Sequence, residues 1–303
     1  MTAAVNAGSD SRRMMLAAAA LVAGAIALGA SPIFVRVADV GPYASAFWRT
    51  FLALPFLYAW ARIETGGASL PAPDRTVLLA GLLFAGDLFF WHLAILSTTV
   101  ANAAFLATTT PIWVALGAWL FLSEKVGRAN LIGIVLCLIG GSALLGNSYN
   151  FAPEHFLGDI YGVVTAFFFG TYILTVGQAR MRYGAAVVML YSTAIASLCL
   201  FLIAFFWEPH VLPRTLTGAA SVLALALVSQ VIGRGLIVTA LGTMPTTFSS
   251  LVIFLEAVAA AGFGWLIFSE ALGTAQLTGG LLIFAGIWIA RPRASSRLNE
   301  VQL

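Results

Sequence analysis

Long apolar runs dominate this sequence, and short joints containing glycine, proline or charged residues separate them. A helix needs about 20 apolar residues to cross a hydrocarbon core of about 30 Å, and the runs reach or approach that length. A transmembrane strand would be shorter and would alternate apolar with polar residues. The pattern therefore predicts an all-α membrane protein with ten transmembrane helices, which we number as spans 1 to 10, at residues 14–35, 43–61, 76–97, 100–122, 129–146, 160–179, 184–207, 217–241, 246–268 and 273–290.

The composition narrows the function classes. Hydrophobic residues make up 61% of the 303 residues and charged residues only 9%, whereas a soluble domain carries about 25% charged residues. This low content of charged residues excludes a soluble enzyme and a nucleic-acid-binding domain. The expected partners are therefore the lipid bilayer and a small-molecule substrate. Direct ATP use is excluded because the single lysine, Lys125, follows no glycine-rich phosphate loop. Neither the histidines nor Cys137 and Cys199 form a ligand pattern, so we expect no metal and no cofactor.

Basic residues are sorted strongly to one side of the predicted spans. Only Arg36 and Arg214 fall on the other side, and cytoplasmic loops carry the excess of Lys and Arg. We therefore expect a multi-pass protein of the bacterial inner membrane with both termini in the cytoplasm. Arg12-Arg13 before an apolar run is typical of a signal peptide. The run is longer than the apolar core of a usual signal peptide, and it has a counterpart later in the chain. We therefore expect span 1 to be retained. The cytoplasmic set is Arg12, Arg13, Arg62, Arg75, Lys125, Arg128, Arg180, Arg182, Arg291, Arg293 and Arg297.

Two stretches of the chain repeat one another at a constant spacing of 146 residues. Residues 119–133 read WLFLSEKVGRANLIG and residues 265–279 read WLIFSEALGTAQLTG, and Gly140 likewise corresponds to Gly286. Such self-similarity predicts structural repeats. Because each repeat has five helices, the second enters the membrane upside down, as in secondary transporters that bind substrate near the midplane. We expect a cytoplasmic tail at 1–13, repeats at 14–146 and 160–290, an external connecting loop at 147–159 and a cytoplasmic tail at 291–303.

Each repeat ends its fourth helix with a Leu-Phe-Leu-Ser-Glu type turn and continues into a glycine-rich fifth helix. This pattern, together with the segment from His92 to Ala104 followed by Thr110-Pro111, resembles the EamA type of the drug/metabolite transporter superfamily over nearly the whole chain. The resemblance implies a ten-helix transporter, and within the family the chain looks similar to the YddG-like amino-acid exporters. Span 1 departs from the family pattern, because Gly29-Ala30-Ser31-Pro32 replaces a Trp-Gly or Trp-Ser pair. No substrate contact is therefore transferred to span 1.

Four formally charged residues fall inside the spans: Arg49, Asp87, Arg234 and Glu256. A charge at the bilayer centre costs about 3 kcal/mol or more, so each needs a protein partner or water. Both arginines lie within about two turns of a span end, so Arg49 is long enough to snorkel to the external surface and Arg234 to the cytoplasmic surface. A structural hypothesis pairs Arg234 with Asp87, which the repeat alignment places side by side. In a functional hypothesis, Glu256 binds a substrate ammonium group or a proton. Glu256 aligns with Thr110 in the other repeat.

Polar and aromatic neighbours of these charges are further candidates for substrate binding or coupling. Trp91 shares a helix face with Asp87. His92, the only histidine within a span, suits either packing or proton coupling. Pro111 leaves a helix carbonyl without its partner and is the hinge candidate in span 4. The remaining candidates are the polar residues Asn102, Thr108 and Thr109 of span 4 and Gln230 of span 8.

The leading hypothesis is a secondary transporter that exports small metabolites, with amino acids, aromatic or of a broad range, as the expected substrates. It would work by alternating access around a midplane cavity. Another metabolite class, or drug efflux in the same fold, is the alternative. An intramembrane enzyme is disfavoured, because Asp87 is the only aspartate in a span and no Gly-x-Ser-x-Gly nucleophile occurs. The sequence is compatible with proton-coupled transport and with facilitated transport. It is equally compatible with a monomer and with a dimer.

Overall fold

The computed structural model describes residues 2–98, 103, 106–107, 109–121, 123, 126–145, 155–268 and 273–292, and every regular element within these ranges is helical. The span numbers are kept for the observed helices. Span 1 comprises Thr2–Gly29 and Ser31–Val37, span 2 Pro42–Phe51 and Leu54–Glu64, span 3 Arg75–Ser97, span 4 Thr110–Phe121, span 5 Arg128–Leu145, span 6 Phe156–Ala179, span 7 Ala185–Trp207, span 8 Leu216–Ala224, Leu225–Arg234 and Gly235–Leu241, span 9 Thr246–Val252 and Leu255–Phe268, and span 10 Thr274–Ala290.

The helices have the length and surface of a membrane protein. Six helical stretches, in spans 1, 3, 6, 7, 8 and 9, are long and apolar enough to cross a bilayer, and the described helices of spans 4, 5 and 10 are apolar but shorter. Large side chains such as Trp119, Phe121 and Trp265 are exposed. An apolar surface of this kind is suited to lipid rather than to water. The predicted all-α, ten-helix class is confirmed.

Prolines divide two of the spans. Pro32 and Pro55 each stand at the second position of a new helix, Ser31–Val37 and Leu54–Glu64. Proline has no N–H, and its ring clashes with the carbonyl four residues earlier, so the preceding helix ends before it. Spans 1 and 2 are therefore each built from two helical segments.

Spans 5 and 10 cross at a seam of glycines that joins the two repeats. A Cβ atom at Gly140 would lie 2.5 Å from the carbonyl oxygen of Gly279, and a Cβ at Gly279 would lie 2.5 Å from that of Gly140. Gly133 and Gly286 approach one another in the same reciprocal way, with both distances 2.8 Å. The lower residue number of span 5 meets the higher number of span 10, so the two helices are antiparallel.

The centre of this seam lies on a pseudo-two-fold axis. The thiol of Cys137 donates to the carbonyl oxygen of Ile283 at a distance of 3.7 Å, and these residues are 146 positions apart. A residue meets its own counterpart only where a two-fold axis passes. Because the axis relates two antiparallel helices that cross the membrane, it lies across them, and the second repeat is inverted as predicted.

Spans 2 and 7, which are also counterparts, cap one another at both ends. The carboxylate of Glu64, the last residue of span 2, accepts a hydrogen bond from the N–H of Ala186 in the first turn of span 7 at 3.1 Å. Glu208, which follows span 7, accepts one from the N–H of Ala44 in the first turn of span 2, also at 3.1 Å. Helix N-termini present unpaired N–H groups and a positive dipole end to such anions. The two spans are therefore tied together on both faces of the membrane.

Glycine at the N-cap, directly before each capped helix, makes room for this reciprocal clasp, by which we mean the capping carboxylates of Glu64 and Glu208. A Cβ atom on Gly41 would collide with the Glu208 carboxylate, and one on Gly184 would collide with that of Glu64. Partial burial raises the pKa of the Glu208 carboxyl, against the lowering effect of the N–H groups of Ala44 and Tyr43. Glu208 consequently takes up a proton at a higher pH than a solvated glutamate does.

Candidate functional site

A buried ion pair joins span 3 to span 8. Nη2 of Arg234 lies 3.5 Å from Oδ2 of Asp87, and the two side chains are only 9% and 8% exposed. The pairing expected from the repeat alignment is present, and Arg234 does not snorkel to the membrane surface. Since an unpaired buried charge is costly, each residue neutralises the other.

Three aromatic rings surround the same guanidinium. Cζ of Arg234 lies 4.1 Å from the centre of the Phe84 ring, 5.2 Å from that of Phe169 and 5.4 Å from that of Tyr172. Ring faces attract a cation most strongly where water is excluded. The rings of this aromatic cage were not among the expected site residues, although Phe84 lies three residues before Asp87 on the same helix face, a spacing that signals a shared environment.

Arg49 begins a second buried polar chain that crosses three spans. Its Nε–H donates to Oε1 of Gln230 at 3.2 Å, and Nε2 of Gln230 donates to Oγ1 of Thr193 at 3.0 Å. Arg49 is 8% exposed and Gln230 is fully buried. The snorkelling alternative is therefore wrong for Arg49 as well, because its guanidinium turns inward between spans 2, 7 and 8.

Span 8 winds as a π-helix from Leu225 to Arg234, around the site. Both Gln230 and Arg234 lie in this segment, and π-helical turns occur frequently at functional sites. The wide turn packs closely on span 1, where Ser31 Oγ donates to Ser229 Oγ at 2.8 Å. The sequence pattern predicts an ordinary α-helix here, and this part of the prediction is wrong.

Glu256 lies at the break in span 9, as the second residue of the helix Leu255–Phe268. Its side chain is half-buried and makes no hydrogen bond to another residue that the structure describes. The carboxylate interacts electrostatically with Arg234, Arg49 and Asp87, and the first turn of a helix favours a negative charge. The four charged residues of the spans thus form one group, which we call the four-charge cluster (Arg49, Asp87, Arg234 and Glu256).

The contacts of two glycines show that Glu256 and Thr110 occupy equivalent places in the two repeats. A Cβ on Gly29 of span 1 would lie 2.8 Å from the carbonyl oxygen of Glu256, and one on Gly170 of span 6 would lie 3.3 Å from that of Thr110. In both cases the other close atoms belong to the residues three and four positions further along. The contact of span 1 with span 9 is therefore repeated by span 6 with span 4, and only the second repeat carries a carboxylate there.

Span 4 is broken at the corresponding position. The hydroxyl of Thr110 donates to the carbonyl of Ala107 at 2.8 Å, and that of Thr109 donates to Leu106 at 2.6 Å. The ring of Pro111 deprives Ala107 of its usual helical donor, so Thr110 replaces the missing N–H. The two other candidates of this span, Asn102 and Thr108, lie outside the described residues.

Trp91 and His92 pack in an aromatic group between spans 2 and 3. The His92 ring lies edge-on to Trp91 with centroids 5.0 Å apart and is 5.7 Å from Tyr43. Its Nδ1 is hydrogen-bonded to the carbonyl of Leu88. Among the described residues, neither ring makes a hydrogen bond to the four-charge cluster.

Comparison with known proteins shows what kind of molecule has this architecture. Residues 15–145 and 156–291 match the EamA-like transporter family. The chain belongs to that family. This EamA-like transporter is 26% identical over 237 residues to the pseudopaline exporter CntI of Pseudomonas aeruginosa, which covers 78% of this chain and 81% of the relative. It is 25% identical over 270 residues to an uncharacterized transporter of Archaeoglobus fulgidus, covering 85% and 91% of the two chains.

A solved structure shows the same fold. A crystal structure with 18% sequence identity superposes on this EamA-like transporter with a TM-score of 0.78, covering 95% of this chain and 99% of the other. The family and the named relatives are transporters. A small-molecule substrate and a lipid environment follow for this chain.

Proposed function

We propose that this EamA-like transporter exports small metabolites, amino acids in particular, by alternating access around the four-charge cluster. One observation carries the proposal: the four residues of the four-charge cluster come from spans 2, 3, 8 and 9 and turn inward to the same place, where spans of both repeats meet. Inverted-repeat transporters bind substrate near the midplane at the repeat interface. The cluster also offers both signs of charge, which suits a substrate carrying an ammonium and a carboxylate.

A different metabolite class in the same fold is the second candidate. It is favoured by the relative named as a pseudopaline exporter, which matches most of this chain. Counterflow in liposomes containing only this protein separates the candidates. A labelled amino acid that accumulates against an unlabelled internal pool supports amino-acid export, whereas accumulation of only another class supports the alternative.

Replacing Glu256 by Gln should reduce amino-acid counterflow at least about tenfold, because it removes a charge-assisted contact worth about 1.5–3 kcal/mol. Any dependence of flux on pH should flatten in the same variant. Glu256→Asp keeps the carboxylate and should retain part of the flux, and thermal unfolding should show both variants folded. Normal counterflow by Glu256→Gln across the pH range would show that this carboxylate does not act on the substrate.

We further propose that the protein lies in the bacterial inner membrane with both termini in the cytoplasm, as the distribution of basic residues supports. The exposed residues Gly127 and Gly273 are repeat counterparts with room for a side chain. In a background lacking Cys137 and Cys199, a membrane-impermeant maleimide added to intact cells should label Gly273→Cys and leave Gly127→Cys unlabelled. The reverse result would invert the proposed orientation.

A further inference from the structure

Three buried guanidinium nitrogens in the four-charge cluster have no acceptor among the described residues. They are Nε and Nη1 of Arg234 and Nη2 of Arg49. The long contact to Asp87 engages only Nη2 of Arg234, and Gln230 engages only Nε of Arg49. A buried donor without an acceptor costs about 1–3 kcal/mol, and more when it is charged. Such an arrangement is expected where a ligand supplies the acceptor atoms.

The aromatic cage keeps the two unpaired donors of Arg234 available. Phe84 lies under the guanidinium of Arg234 at 4.1 Å, and Phe169 and Tyr172 lie further out. A ring face attracts the charge of a stacked guanidinium but leaves its in-plane N–H groups free to bind a carboxylate. Packing thus holds the side chain of Arg234 in place while two of its nitrogens stay unpaired.

We infer that Arg234 and Arg49 bind the carboxylate of the substrate and that Glu256 binds its ammonium group. The inference rests on the proposed export function and gives the substrate class as a zwitterion. The two arginines and the two acids of the cluster sum to zero formal charge, and a zwitterion leaves that sum unchanged. A purely anionic or cationic analogue would leave one uncompensated charge in a low-dielectric site, which is costly.

Three probes that share a phenyl ring test this assignment: L-phenylalanine, 2-phenylethylamine and 3-phenylpropionate. Binding to the purified full chain is measured by the ligand-dependent rise in unfolding temperature, which does not depend on transport. L-phenylalanine should bind at least about tenfold more tightly than either singly charged analogue. Equal binding of all three probes would overturn the inference.

Charge-altering variants make the test reciprocal. Glu256→Gln leaves the cluster with one positive charge, so its relative affinity should shift toward 3-phenylpropionate. Arg49→Gln leaves one negative charge, so its relative affinity should shift toward 2-phenylethylamine. Arg49→Lys keeps the charge and should keep the preference for the zwitterion at reduced affinity. If both Gln variants keep the order of the unmodified protein, the charges of the cluster do not select the substrate.

The failure of this inference and that of the proposed function are distinguishable. If none of the probes binds but counterflow shows transport of another small metabolite, export stands and the zwitterion site is wrong. If L-phenylalanine binds with the expected preference but no amino acid is transported, the site stands and the proposed export of amino acids fails.

Discussion

Replacing Gly140 by Ala should destabilise the protein by about 3 kcal/mol or more. Overpacking a closely packed contact typically costs about 1–3 kcal/mol. The cost is at or above the upper end here because the opposing atom belongs to the backbone, which cannot move aside as a side chain can. The added Cβ would lie 2.5 Å from the carbonyl oxygen of Gly279. The pseudo-two-fold axis makes Gly279→Ala the equivalent change, and it should cost a similar amount. Thermal unfolding of the purified variants measures both.

Gly262 provides the matched control for this prediction. It lies within the helix Leu255–Phe268, and a Cβ built there meets nothing within 4 Å. Gly262→Ala should therefore be neutral or stabilising by about 0.5–1 kcal/mol, since glycine is a poor helix residue. Equal unfolding temperatures for Gly140→Ala and Gly262→Ala would show that spans 5 and 10 are not held by this seam.

Much of the fold could be predicted because its signals extend over many residues. The apolar runs identify the spans, and the spacing of 146 residues identifies the repeats. The same spacing recurs in the contact of Cys137 with Ile283. Local departures from a continuous α-helix were harder to predict. Pro32 and Pro55 were visible in the sequence and do divide their spans, whereas no pattern within span 8 reveals its π-helix, which packs on span 1.

The site was predictable where the repeat alignment places residues side by side. It set Arg234 next to Asp87, and the pair is present. The alignment says nothing of the rotation of a helix about its axis, so the inward direction of Arg49 toward Gln230 could not be derived. The clasp residues Glu64 and Glu208 look like ordinary charges at span ends, and only the antiparallel packing of spans 2 and 7 shows that each caps the other.

Replacing Asp87 by Asn should destabilise the protein by about 3 kcal/mol, because breaking a buried ion pair leaves one charge uncompensated. The value is placed at the low end of the usual 3–5 kcal/mol since Glu256 also interacts with Arg234 and compensates for part of the loss. The double variant Asp87→Asn, Arg234→Gln should be more stable than Asp87→Asn alone, because it removes the stranded positive charge. A double-mutant cycle of unfolding free energies measures this coupling.

The exposed pair Arg182–Asp74 is the control that distinguishes the effect of burial on the strength of an ion pair from the effect of the distance between its atoms. Its atoms lie 3.1 Å apart, closer than the 3.5 Å of the buried pair, but the Arg182 side chain is 71% exposed. Because solvent screens an exposed pair, Arg182→Gln should cost less than about 1 kcal/mol. If Asp87→Asn costs no more than Arg182→Gln, the buried pair does not fasten the two repeats.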